Sequence, residues 1–140
     1  KIFFFVKKLL INNKKIVNKD MYNKKFIEDN QIEVIINCTM DYQFSEIPGI
    51  TNIRIPLPHN LYNSLDILRQ NKHKILDCID THYETKHVLI CCQDGTTISP
   101  FLVSLYLIKY GGIQKSEVKK IIQSKNQAVT MEFDLNLLDL

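Results

Sequence analysis

Short continuous apolar runs alternate along the chain with longer segments whose apolar residues recur every three or four positions. The runs are Ile2–Val6, Lys8–Ile11, Glu33–Cys38, Thr51–Leu57 and His87–Cys91. Their brevity, their β-branched content and the turn formers around them predict strands, and the unbroken apolar character of EVIINC and HVLIC predicts strands buried on both faces. The periodic segments predict helices. Asn18–Asn30 places Met21, Tyr22, Phe26 and Ile27 on one side, with Asn18 as its cap. Ser64–Tyr83 aligns Leu65, Leu68, Ile75, Leu76 and Ile79, with Ser64 as its cap. Phe101–Tyr110 is apolar almost all round, which predicts a central, buried helix entered through Pro100 and ended by Gly111-Gly112. Lys115–Lys125 is amphipathic through Val118, Ile121 and Ile122, and Asp134 caps a last short helix to Leu140. Asn12–Asn13, Pro48-Gly49 and Pro56 punctuate the rest.

Strands alternating with helices predict an α/β fold, a central, mainly parallel sheet with helices on both faces. A chain of 140 residues with no repeat, low-complexity tract or linker reads as one domain over 1–140. In such sheets ligands bind beyond the carboxyl ends of the strands. The segment CCQDGTTIS, Cys91 to Ser99, occupies such an end, between a buried strand and a buried helix.

Composition narrows the reading further. The four cysteines form no CxxC pair, so a disulfide framework is not expected and a reducing, cytoplasmic setting is. The apolar run Ile2–Val6 is cut short by Lys7 and Lys8, far below the roughly 20 residues of a membrane span, and no signal peptide is read in the sequence. The net charge of +3 conceals an asymmetry: residues 1–25 hold eight lysines and one acid, +7, and the remainder holds ten basic and fourteen acidic groups, −4. Lys7, Lys8, Lys14 and Lys15 therefore mark a basic edge suited to an acidic surface, with a solvated lysine-rich face as the plainer reading. His87 and Cys91 share a strand face, but two further ligands are lacking, so neither a metal nor a cofactor is expected.

The loop carries the candidate chemistry. Backbone N–H groups from Gln93 through Asp94, Gly95, Thr96 and Thr97 to Ser99 can converge on one point, to which the N-terminus of the next helix adds its positive dipole end. Gly95 permits the tight curve. A cysteine at the mouth of such a cradle has its thiolate stabilised, which suits attack on phosphorus.

VLICCQDGTTISP followed by LVSLYLIKYGG resembles the cysteine-dependent dual-specificity protein phosphatases, whose signature is HCxxGxxR and then Ser or Thr. IEVIINCTMDY is similar to that family's strand ending in V-x-N-x-T, and IRIPLPHN to the strand leading into its general-acid loop. The resemblance covers essentially the whole chain, and INCTMDY and IPL are similar to poxvirus members. It implies that Cys92 stands at the nucleophile position, Gly95 at the loop glycine and Ser99 at the hydroxyl that assists the leaving thiolate. It also exposes three departures. Cys91 replaces the histidine before the nucleophile, Ile98 the arginine, and His59 the general-acid aspartate.

The arginine matters most. Phosphoryl transfer depends on positioning and on stabilising the charge of the equatorial oxygens, which a bidentate guanidinium supplies. Losing a comparable contact costs about 10²–10³ in rate. Arg54 and Arg69, the two arginines of the chain, both lie outside the loop. The resemblance and its departures together imply a pseudophosphatase that binds a protein, either a phosphorylated one or a second copy of itself. A very slow or unusual-substrate phosphatase using Cys92 is the alternative. If the chain is viral, its setting is the host cytoplasm or the virion.

Overall fold

The computed structural model describes residues 9–11, 21–93, 97–125 and 134–137. The expected strand Ile2–Val6, the turn Asn12–Asn13, the cap Asn18 and the lysines Lys7, Lys8, Lys14 and Lys15 lie outside these residues. In chain order the elements are β1 (Leu9–Ile11), α1 (Lys24–Asp29), β2 (Val34–Asn37), β3 (Thr51–Arg54), α2 (Leu61–Tyr83), β4 (Val88–Cys91), α3 (Ile98–Lys109), α4 (Lys115–Lys125) and a single 3-10 turn (Leu135–Leu137). The strands form one sheet in the order β1-β4-β2-β3, and every pairing is parallel.

Side-chain alternation divides the two central strands between two cores. Val34, Ile36, Val88 and Ile90 face α2, α3 and α4, whose Leu68, Leu76, Ile79, Phe101, Leu105, Val118 and Ile122 complete the larger one. Ile35, Leu89 and Cys91 face the other way and pack with Met21, Ile27 and Ile32. β2 and β4 are buried along their whole lengths, as their unbroken apolar runs predict. The ten residues from Ile98 to Leu107 are all buried, so α3 is the central helix. Gly112 closes its C-terminal side at φ +65°, and a Cβ on Gly111 would stand 2.6 Å from the Leu107 carbonyl oxygen.

Two helix starts differ from the sequence reading, those of α2 and of α3, which begins at Ile98 rather than Phe101. α2 begins three residues earlier, at Leu61, because Asn60 is the cap: its Oδ1 accepts from Tyr62 N at 2.8 Å and Asn63 N at 3.4 Å. Ser64 instead donates its hydroxyl to the Pro58 carbonyl at 2.9 Å and the Asn60 carbonyl at 3.1 Å. Asn23 caps α1, accepting from Phe26 N at 3.1 Å. Among the described residues no helix is long and apolar enough to cross a membrane.

Candidate active site

The register of the sheet fixes where the candidate cysteine stands. Asn37 of β2 pairs with Cys91 of β4, and Cys38 N donates to the Cys91 carbonyl at 2.8 Å, so the ladder runs on just past the strand ends. The chain then turns at Cys92 into the loop and re-enters helix at Ile98. Cys91 faces the smaller core and Cys92 the larger one, as alternation along the strand requires.

Cys92 is 1% exposed and Ser99 wholly buried, and the two are in contact. Ser99 N donates to Cys92 Sγ at 3.3 Å, and Ser99 Oγ lies 3.2 Å from the same sulfur, where either atom can donate. The sulfur thus accepts an N–H from the first turn of a twelve-residue helix, the setting that favours a thiolate. Thr97, just before the helix, makes no side-chain cap, although its carbonyl accepts from Phe101 N at 3.0 Å. Gln93 is exposed, and Asp94, Gly95 and Thr96 lie outside the described residues.

Ile98 is 2% exposed and belongs to the larger core together with Cys92, Cys38 and Phe101. Its side chain is an interior packing group. Both arginines contact other groups. Arg69 lies on α2 and pairs with Asp66 at 3.2 Å. Arg54, at the end of β3, donates to the Thr39 carbonyl at 2.9 Å and to the Tyr42 carbonyl, and its guanidinium lies 4.8 Å from the Phe44 ring centroid.

The loop after β2 has an internal scaffold that sequence reasoning passed over. Asn37 is wholly buried. Its Oδ1 accepts from Thr39 N at 3.0 Å and Thr39 Oγ1 at 2.7 Å, and its Nδ2 donates to the Tyr42 carbonyl at 2.9 Å. Thr39 Oγ1 in turn accepts from Tyr42 N at 3.1 Å. The N-x-T spacing in INCTMDY is therefore an Asx-type loop brace, and Arg54 ties the same carbonyls from β3. An asparagine inside an apolar strand was the signal that could have revealed it.

Cys38, beside this brace, is wholly enclosed. Burial pushes its thiol well above the ordinary range, and the neighbouring Cys92 and Cys91 push it the same way. It is a neutral thiol at physiological pH. His59 is exposed, between Pro58 and the capping Asn60, on the segment that Ser64 anchors to the start of α2. Among the described residues no group of three or more His, Cys, Asp or Glu side chains is placed to hold a metal ion.

Comparison with known proteins follows the same lines. Human DUSP28 superposes with a TM-score of 0.70 at 12% identity, covering 91% of this chain and 85% of its own. DUSP15 gives 0.72 at 18% identity, with 88% and 74% covered. The human tyrosine phosphatase-like serine/threonine/tyrosine-interacting protein gives 0.68 at 12% identity, with 90% and 84% covered. No curated protein sequence matches the chain. These structures share the fold, and residues 16–138 match the family "Dual specificity phosphatase, catalytic domain". With the cysteine loop set between a buried parallel strand and a buried helix, the chain belongs to the dual specificity phosphatase catalytic domain family.

Proposed function

We propose that this chain is a pseudophosphatase, a phosphatase-fold domain that binds a protein partner without turning over phosphoesters. The observation that carries the reading is Ile98. The position where the family's signature has arginine holds an apolar side chain that is 2% exposed and packed in the core. With Arg54 committed to the loop after β2 and Arg69 to Asp66, the equatorial oxygens of a bound phosphoryl group lack a bidentate cation. His59 in place of the aspartate and Cys91 in place of the histidine remove two more parts of the same apparatus. The partner is a phosphorylated protein or a second copy of the chain, met in the cytoplasm. The resemblance to poxvirus members makes that a host cytoplasm or a virion. A tyrosine phosphatase-like neighbour described as an interacting protein is consistent with a binding role on this fold.

A second reading has an observation of its own. The Ser99–Cys92 contacts at 3.2 and 3.3 Å keep the nucleophile position coupled to the helix N-terminus, as a residual cysteine-dependent phosphatase needs. Turnover of a generic aryl phosphate decides between the two. The unaltered protein is expected to show none above Cys92→Ser across the pH range. The double variant Ile98→Arg/His59→Asp is expected to gain at least about 10²-fold over the unaltered chain. Turnover in the unaltered protein that Cys92→Ser abolishes overturns the pseudophosphatase reading.

A further inference from the structure

Among the described residues, strand β3 ends the ladder on the far side of the sheet from β1, and a groove runs along it. Thr51 N bonds the Glu33 carbonyl at 2.9 Å and Ile55 N the Asn37 carbonyl at 3.0 Å, so residues 51, 53 and 55 face β2. Parallel alternation then turns the peptide groups of Asn52 and Arg54 outward, away from the sheet. The groove has a volume of about 350 Å³ and is walled by Ile53, Ile55 and Pro56 on one side and by Ile67, Ile75 and Cys78 of α2 on the other. Its helical wall runs from residue 67 to 78, about 16 Å at 1.5 Å per residue, the length of about five extended residues. Ile67 is 38% exposed.

We propose that this edge receives an extended segment of a partner protein in which apolar and acidic residues alternate, added as a further strand on β3. Charge selects this occupant. Among the described residues, the lysine and arginine side chains along the groove are Arg54 and Lys74, and no carboxylate lines it. The Arg54 guanidinium is bound to neutral carbonyls and an aromatic face, which leave its charge uncompensated. Lys74 is exposed and makes no ion pair among the described residues. Ile53 and Ile55 point toward α2, whereas Arg54 points to the opposite face. An added strand therefore meets apolar surface with one set of alternate residues and Arg54 with the other, and Lys74 adds its charge at the exposed rim of the α2 wall. A second copy is disfavoured, because β3 paired with itself across a two-fold axis brings two Arg54 and two Lys74 to one seam. Pro56 and the four-residue length of β3 limit the backbone contribution, so the groove supplies much of the binding.

The inference rests on the reading of the chain as a protein-binding module, yet it is tested away from the cysteine loop. The probe is the acetylated, amidated hexapeptide Glu-Ile-Glu-Ile-Glu-Ile, titrated into the full isotope-labelled chain. Amide resonances of Asn52 and Arg54 are expected to shift and saturate. Binding is expected to weaken at least tenfold with Lys in place of Glu in the peptide, with alternate peptide N-methylation, and in Ile67→Lys or Lys74→Glu, both exposed positions. Absence of shifts at Asn52 and Arg54 with millimolar peptide overturns the inference. So does equal binding of the lysine peptide, or a concentration-dependent dimer that perturbs the same amides without peptide. Turnover by Cys92 in the same protein overturns the proposed function and leaves this inference standing, so the two failures are distinct.

Discussion

Asn37 commits one wholly buried amide to three hydrogen bonds, two accepted from Thr39 and one given to the Tyr42 carbonyl. Removing the amide leaves the N–H and the hydroxyl of buried Thr39 without their acceptor, and an unsatisfied buried polar group costs about 1–3 kcal/mol. Asn37→Ala is therefore expected to lower the unfolding free energy by about 2–3 kcal/mol, read from urea denaturation with an unchanged m-value. Asn52 provides the contrast. Its Nδ2 reaches the Ser45 carbonyl at 3.0 Å, but its buried Oδ1 accepts no hydrogen bond. Asn52→Ala is expected to cost less than Asn37→Ala under the same conditions, because it removes one bond and an acceptor that is already unsatisfied. Equal losses would show that the loop brace carries no special weight. At this scale the sequence spoke unevenly. Cys92, Ile98 and Ser99 were readable as a group because their spacing encodes one loop. The reach of Arg54 to Thr39 and Tyr42 was not, because it joins segments that only the β2–β3 register brings together.

The strands were legible as elements because burial on both faces leaves an unbroken apolar signature, and β2 and β4 carry it in VIIN and VLIC. α3 was legible for the same reason. The start of α2 was not, since Asn60 and Ser64 are both good capping residues and only the fold decides which side chain meets the free N–H groups. The packing of α2 on α3 carries a pH dependence. Tyr106 is wholly buried in the sequence of α3 and donates to Asp80 of α2 at 2.8 Å, and its ring meets Tyr83 edge-on at a centroid distance of 5.6 Å. Burial, reinforced by Asp80, pushes the Tyr106 phenol well above its ordinary value, and burial pushes Tyr83 up to about 12. Both groups are neutral in the folded and unfolded states below the unfolded value of 10.0, so their contribution to stability is constant there. Above it the unfolded chain releases phenolic protons that the folded chain retains, and stability falls. Because burial also raises the thiols of Cys38 and Cys78 from 9.0, thermal midpoints are expected to begin falling near that pH and to drop more steeply above 10. Tyr83→Phe, which removes one of the two titrations, is expected to make the drop shallower. An identical alkaline slope in that variant would assign the loss to other groups.

Across the whole molecule, the strand that delivers Cys92 owes its protection to a neighbour outside the family match. That match covers residues 16–138, whereas β1 lies at Leu9–Ile11 and pairs with β4 through Leu9–Val88, Leu10–Leu89 and Ile11–Ile90. Without β1 the sheet order would begin at β4, and a strand now buried on every side would present an open, wholly apolar edge. The same deletion removes positive charge. Residues 1–15 hold five of the eight lysines of the basic N-terminal segment, so a chain starting at residue 16 falls from a formal +3 to −2. Lys24 and Lys25, also of that segment, already pair within α1 with Glu28 at 3.8 Å and Asp29 at 2.7 Å, which leaves the earlier lysines as the main source of the asymmetry. Two outcomes are expected of the shortened chain, and they separate the roles of strand and charge. Its thermal midpoint falls by at least about 5 °C and it self-associates on size-exclusion chromatography, because β4 is uncovered. Its retention on an immobilised polyanion falls to the level that the full chain reaches only at high salt, because the lysines are gone. Replacing Lys7, Lys8, Lys14 and Lys15 by glutamine in the full chain is expected to reproduce the second change without the first. A shortened chain as stable and monomeric as the full one would show that β1 is dispensable to the sheet, and that the family boundary at residue 16 is also the boundary of the folded unit.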